Sequence, residues 1–135
     1  MATTRLQPLL SHTVFRWASG VNALLALALG VIGTLMSGNP DLRGVHSVLA
    51  IIFLGTSLVA ALTGMRYGMQ SNTRGLALLG FVLFGLGVVQ YGLGEMSRTW
   101  PHMILGFAIV LGAGMLFIRA RSQPVVYTGQ SPRSS

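Results

Sequence analysis

Four apolar runs of about twenty residues each, separated by short polar links, constrain this chain more than any single residue does. They cover about Val14–Met36, Leu42–Gly64, Gly75–Met96 and Trp100–Ile118. A run of that length with few charges spans a bilayer as a helix, because inside lipid only a helix or a closed barrel satisfies its own backbone. Charged residues make up 8% of the chain and hydrophobic residues 52%, outside the range of an ordinary soluble domain. The expected fold is therefore all-α: an integral membrane antiparallel four-helix bundle, since links of a few residues force neighbouring helices to alternate in direction.

The links also set an orientation. All nine basic residues are arginines. Arg5 and Arg16 lie at the head of the first run, Arg66 and Arg74 in the second link, and Arg119, Arg121 and Arg133 after the fourth run. The other side carries Arg43 and Arg98, each near an acid, Asp41 or Glu95. By the positive-inside rule both termini face the cytoplasm and the acid-bearing links face outward, as in a multi-pass protein of a bacterial cytoplasmic (inner) membrane. Residues 1–13 read as a cytoplasmic N-terminal segment along the membrane surface, 14–118 as the bundle, and 119–135 as a partly disordered cytoplasmic tail. The charge of +7 is thus a topology signal, and no nucleic-acid partner is expected. With no cysteine, disulfides and thiolate metal centres are excluded.

Inside this frame two histidines stand out. Gly44-Val45-His46-Ser47-Val48-Leu49-Ala50 and Trp100-Pro101-His102-Met103-Ile104-Leu105-Gly106 share a histidine, an aliphatic residue at +2, leucine at +3 and a small residue at +4. Each copy follows an outward link, so the chain is an internal two-helix repeat that places His46 and His102 at one depth below the outer surface. In a square bundle the second and fourth helices are diagonal, with axes roughly 11–14 Å apart when adjacent axes are about 8–10 Å apart. Two imidazoles facing each other over that distance suit one metal with two axial ligands. Ala50 and Gly106, one turn below each histidine, would make room for a flat macrocycle. On the third helix Gly80, Gly87 and Gly94 recur every seven residues, and Gly30 and Gly33 offer small surfaces on the first. Small residues at helix faces also serve close packing.

Heme b fits such a cavity, with His46 and His102 as axial ligands. Its propionates would meet Arg43 and Arg98, one turn outward from each histidine, as arginine pairs bidentately with carboxylates. Trp100 would pack on the porphyrin edge or anchor the helix at the interface. Other residues invite weaker readings. His12 lies before the spans and reads as solvated. Met36, Met96 and Met103 offer soft copper ligands but read as packing. Gln90, Tyr91 and Asn22 are polar within spans and read as interhelical hydrogen-bonding residues, with a quinone headgroup as the other partner for Gln90 and Tyr91. A small multidrug transporter would need a carboxylate in the first span, and Val14–Met36 has none.

Gln90-Tyr91-Gly92-Leu93-Gly94, followed by His102, Leu105 and Gly106, resembles the Q-x-x-L-G…H-x-x-[LI]-[GA] pattern of the heme A synthase family. The whole chain except its tail is similar to one four-helix half of that family's duplicated fold, and His46 and His102 match its heme-ligand positions. Family histidines are often followed by arginine, whereas Ser47 and Met103 follow here. Because one half supplies one heme position, the resemblance implies the heme-binding scaffold more than the oxygenase reaction. The expectation is a membrane cytochrome b with one bis-histidine heme, carrying electrons within a larger respiratory or photosynthetic complex. The alternatives are a cofactor-free accessory subunit packed against partner helices, and a heme-modifying protein that borrows its second site from a partner. No catalytic residue is expected.

Overall fold

The computed structural model describes residues 10–97 and 99–125. It contains four α-helices, α1 (Leu10–Leu35), α2 (Leu42–Ser71), α3 (Arg74–Glu95) and α4 (Thr99–Ser122), and each is long and apolar enough to cross a membrane. α1 packs on α2 and α4, and α3 packs on α2 and α4. The diagonal pairs α1/α3 and α2/α4 make no backbone approach, so the section is the square that short antiparallel links require.

Heptad spacing explains the packing. The buried residues are His12, Phe15, Ser19, Asn22 and Ala26 on α1, Leu76, Gly80, Leu83 and Gly87 on α3, and Ile109, Ala113, Leu116 and Ala120 on α4. Steps of three and four put each set on one stripe facing its neighbours. Lipid is as apolar as leucine, so helix association in it depends on close fit, not on escape from water. The glycines supply that fit. A Cβ built on Gly80 would lie 3.0 Å from Ala61 Cα, and one on Gly64 would lie 2.8 Å from the ring of Phe15.

The helices end where their caps allow. α2 runs seven residues past Gly64, carrying Met65-Arg66-Tyr67-Gly68 with it, and stops at Asn72, whose φ of 57° is left-handed. Thr73 N–H then donates to Gly68 O at 3.0 Å, the six-to-one bond of a Schellman ending. Ser97, with φ 55°, turns α3 toward α4. Pro101 sits in the first turn of α4, where its missing N–H costs little. Arg119 and Arg121 belong to the last turn of α4 rather than to a disordered tail, and there they oppose the helix dipole favourably.

The bundle's two ends differ. One end holds the α2–α3 link and the arginines Arg16, Arg66, Arg74, Arg119 and Arg121; the other holds the α1–α2 and α3–α4 links and both repeat histidines. Buried residues reach the arginine end: His12, Phe15, Tyr67, Leu76, Leu116 and Ala120 close it. Toward the histidine end they stop at Ala26, Phe53, Gly87 and Ile109.

Candidate functional site

His46 lies in the second turn of α2 and His102 in the first turn of α4, at the same end and on diagonal helices. Their ring centroids are 6.2 Å apart with planes inclined at 57°. Two imidazoles on opposite sides of one metal, each at a metal–nitrogen distance of about 2.0–2.1 Å, place their centroids roughly 6 Å apart. The same separation and tilt are those of two rings in direct edge-to-face contact. Both rings are half-buried.

The supports of the two rings come from the preceding helix in each half. A Cβ on Gly33 of α1 would lie 3.5 Å from His46 Cε1, and one on Gly94 of α3 would lie 3.0 Å from His102 Cε1. Glycine at these positions lets each ring edge lie against its neighbour helix. His102 is further held by Gln90. His102 Nδ1 donates to the backbone O of Gln90 at 3.0 Å in the tautomer that leaves Nε2 free, and Gln90 Nε2 donates to the backbone O of His102 at 2.8 Å. An imidazole that gives its second nitrogen to a carbonyl is oriented as metal-ligating histidines usually are. His46 Nδ1 is buried and has no hydrogen-bond partner among the described residues.

The remaining expected residues are distributed as follows. Arg43 is exposed in the first turn of α2, one turn before His46; Arg98 lies outside the described residues. Ala50 is half-buried one turn below His46. Gly106 does not present an open face to a macrocycle, because a Cβ there would lie 2.8 Å from Gln90 Nε2; the glycine accommodates that amide. Gly87 is likewise taken up by protein, with Leu54 and Phe53 at 3.0 and 3.2 Å from a Cβ built on it. Trp100 is 75% exposed and lines a shallow apolar groove of about 490 Å³ with Leu93, Pro101, Ile104, Leu105 and Ala108, away from the imidazoles. Met96 and Met103 are exposed and Met36 is half-buried.

His12 is a correction. It is not solvated: it is 1% exposed on α1, its ring stacked on Tyr67 at 4.7 Å, and Tyr67 in turn donates its hydroxyl to Pro124 O at 3.0 Å. The spacing of His12, Phe15, Ser19 and Asn22 carries the signal, for His12 continues the buried stripe of α1 one turn before Phe15. Asn22 bonds between helices as expected, its Oδ1 accepting from Thr56 Oγ1 at 2.9 Å and from Ser57 Oγ at 2.8 Å. Gln90 does the same from α3 to α4.

Among the described residues there is no cluster of three or more histidine, cysteine or acidic side chains. The fold and the pair define a four-helix membrane bundle with a diagonal histidine couple at one end. No family model, curated protein or solved structure matches the chain.

Proposed function

We propose that the chain is a membrane b-type cytochrome that holds one heme b between His46 and His102 and serves electron transfer in a larger membrane redox complex. The observation that carries this reading is the 6.2 Å separation of two half-buried imidazoles on diagonal helices. His46 and His102 would hold the group, and bound there it would supply a one-electron carrier. The chain's own residues do the rest. Gln90 sets the tautomer and orientation of His102, Gly33 and Gly94 admit the ring edges, and Arg43 stands one turn outward where a propionate would need a cation. The likeness of Gln90–Gly94 and His102–Gly106 to the heme A synthase pattern supports the same cofactor, with a single site supporting the carrier over the synthase. The arginine distribution supports cytoplasmic termini and an outer-leaflet site. Partner subunits would cover part of the exposed apolar helix faces.

The test is an optical spectrum of the purified protein, oxidised and then reduced, made in cells supplied with a heme precursor. Reversible bis-histidine bands near one pigment per chain are expected, lost in the double variant His46→Ala, His102→Ala while the bundle still assembles. A wild-type protein without porphyrin absorbance overturns the proposal and leaves a packing subunit.

A further inference from the structure

The charges of this chain are unevenly placed, and one seam of the bundle concentrates the imbalance. Its two acidic side chains, Asp41 and Glu95, both stand at the histidine end. Arg16, Arg66, Arg74, Arg119 and Arg121 lie a helix length away, since the 22 residues of α3 alone rise roughly 33 Å. No side-chain carboxylate of the chain reaches them.

Two of these arginines converge. A Cβ on Gly20 of α1 would lie 3.1 Å from Cε2 of Phe117 on α4, so the two helices meet closely there. Arg16 precedes Gly20 by one turn and Arg121 follows Phe117 by one turn, and because α1 and α4 run antiparallel both fall on the same seam at the same level. Arg16 is half-buried, and Arg121 lays its guanidinium over the Phe117 ring at 5.7 Å. That contact uses the flat face of the guanidinium and leaves its in-plane N–H donors for an oxygen ligand. Two like charges on one seam repel, and an anion between them replaces the repulsion with two charge-assisted contacts. Deeper along the seam the surface is apolar and open. Gly114, on the Phe117 side of α4, has nothing within 4 Å of a Cβ built on it, and Trp17 and Leu24 of α1 are exposed.

The geometry points to an anionic phospholipid as the occupant of this seam, its phosphate held by Arg16 and Arg121 and an acyl chain lying along Phe117 and Gly114. A soluble anion matches the arginines alone. A lipid matches both the cations and the bare apolar surface beneath them, and the ends of membrane-crossing helices are where headgroups lie. The site is independent of any group held at the histidine end.

The experiment uses full-length protein in a non-ionic detergent, stripped of lipid by extended washing. The thermal midpoint is followed by circular dichroism while phosphatidylglycerol is titrated, with phosphatidylcholine of the same chains, inorganic phosphate and polyglutamate as separate arms. A saturable rise is expected with phosphatidylglycerol alone. Its apparent affinity should fall about tenfold in Arg16→Gln and in Arg121→Gln, each losing one charge-assisted contact. It should hold in Arg119→Gln, whose side chain leaves α4 on the opposite side from Arg121. An equal rise with phosphatidylcholine overturns the inference, as does one with inorganic phosphate or polyglutamate. Unchanged affinity in Arg16→Gln and Arg121→Gln, or an equal loss in Arg119→Gln, overturns it too. The comparison of lipids is made on the wild type and needs no variant to fold.

Discussion

Replacing Gly94 and Gly33 by alanine, one at a time, tests the site's geometry without touching a histidine. Both glycines lie in the last turn of their helices, so the intrinsic gain from removing a flexible residue is the same, about 0.5–1 kcal/mol. Their surroundings differ. At Gly33 the new methyl would meet His46 Cε1 at 3.5 Å and Nδ1 at 4.0 Å, ordinary van der Waals contact. At Gly94 it would stand 3.0 Å from His102 Cε1 and 3.3 Å from Nδ1, and the ring cannot yield freely because Gln90 O holds its Nδ1. Overpacking there costs about 1–3 kcal/mol, and the lost hydrogen bond about 0.5–1.5 kcal/mol.

Gly33→Ala is therefore expected to stabilise slightly and Gly94→Ala to destabilise, with the two variants about 1.5–4.5 kcal/mol apart. That difference exceeds a factor of ten in the folded-to-unfolded ratio, at about 1.4 kcal/mol per decade. Equilibrium unfolding in mixed detergent micelles, followed by far-ultraviolet circular dichroism as sodium dodecyl sulfate is raised, resolves it. Equal stability of the two variants, or the opposite order, would refute the claim that the His102 ring is pinned and the His46 ring is not.

Three further outcomes are expected. Gly80→Ala should destabilise by about 1–3 kcal/mol, because the methyl meets the Ala61 backbone at 3.0 Å, whereas Gly85→Ala, with nothing within 4 Å, should gain about 0.5–1 kcal/mol; thermal melting in detergent compares them. His12→Ala should cost about 2–4 kcal/mol by emptying a buried stacked position. His12→Phe should stay near wild type in the same melt, since it keeps the stack and removes an Nε2 that has no partner among the described residues; an unaffected His12→Ala would return the residue to the surface. Because the chain has no cysteine, Met96→Cys and Met69→Cys report topology directly. Both positions are exposed. A membrane-impermeant maleimide should label the first in intact cells and the second only in inverted vesicles, and the reverse pattern would refute the inward orientation of the arginines.

The four helices were legible because apolar runs of this length leave the backbone no other way to satisfy itself in lipid. Their ends were less so. Arg66 reads as the close of a span, yet a long side chain reaches the headgroups while its backbone stays helical, so α2 continues to the left-handed cap at Asn72. His12 was missed for the mirror reason: a polar residue beside the first apolar run reads as outside it, although its heptad register places it on the buried stripe. The histidine couple was legible from the internal repeat. The glycines were legible only as small, not as to what they admit. Gly106 holds the amide of Gln90 and Gly87 holds Phe53 and Leu54, because a missing Cβ specifies closeness without specifying the neighbour.

The difference between the two ends of the bundle gives this arrangement a physical logic. At the arginine end Phe15, Tyr67, Leu76, Leu83, Leu116 and Ala120 form one buried cluster with His12 stacked on Tyr67, and the next layer of Ala26, Phe53, Ile109 and Ala113 carries it toward mid-bundle. Beyond that layer no described residue is buried, and the helices present half-buried histidines and glycine-supported ring edges. Association energy in lipid comes from close packing, so it is concentrated where the packing is complete. A bundle clamped at one end can leave the other less tightly packed without losing its topology. Gln90 fixes the His102 ring. It follows that substitutions in the Phe15–Tyr67 layer should act on assembly with any site loss secondary, whereas substitutions at Gln90 or His46 should act on the site while the bundle persists.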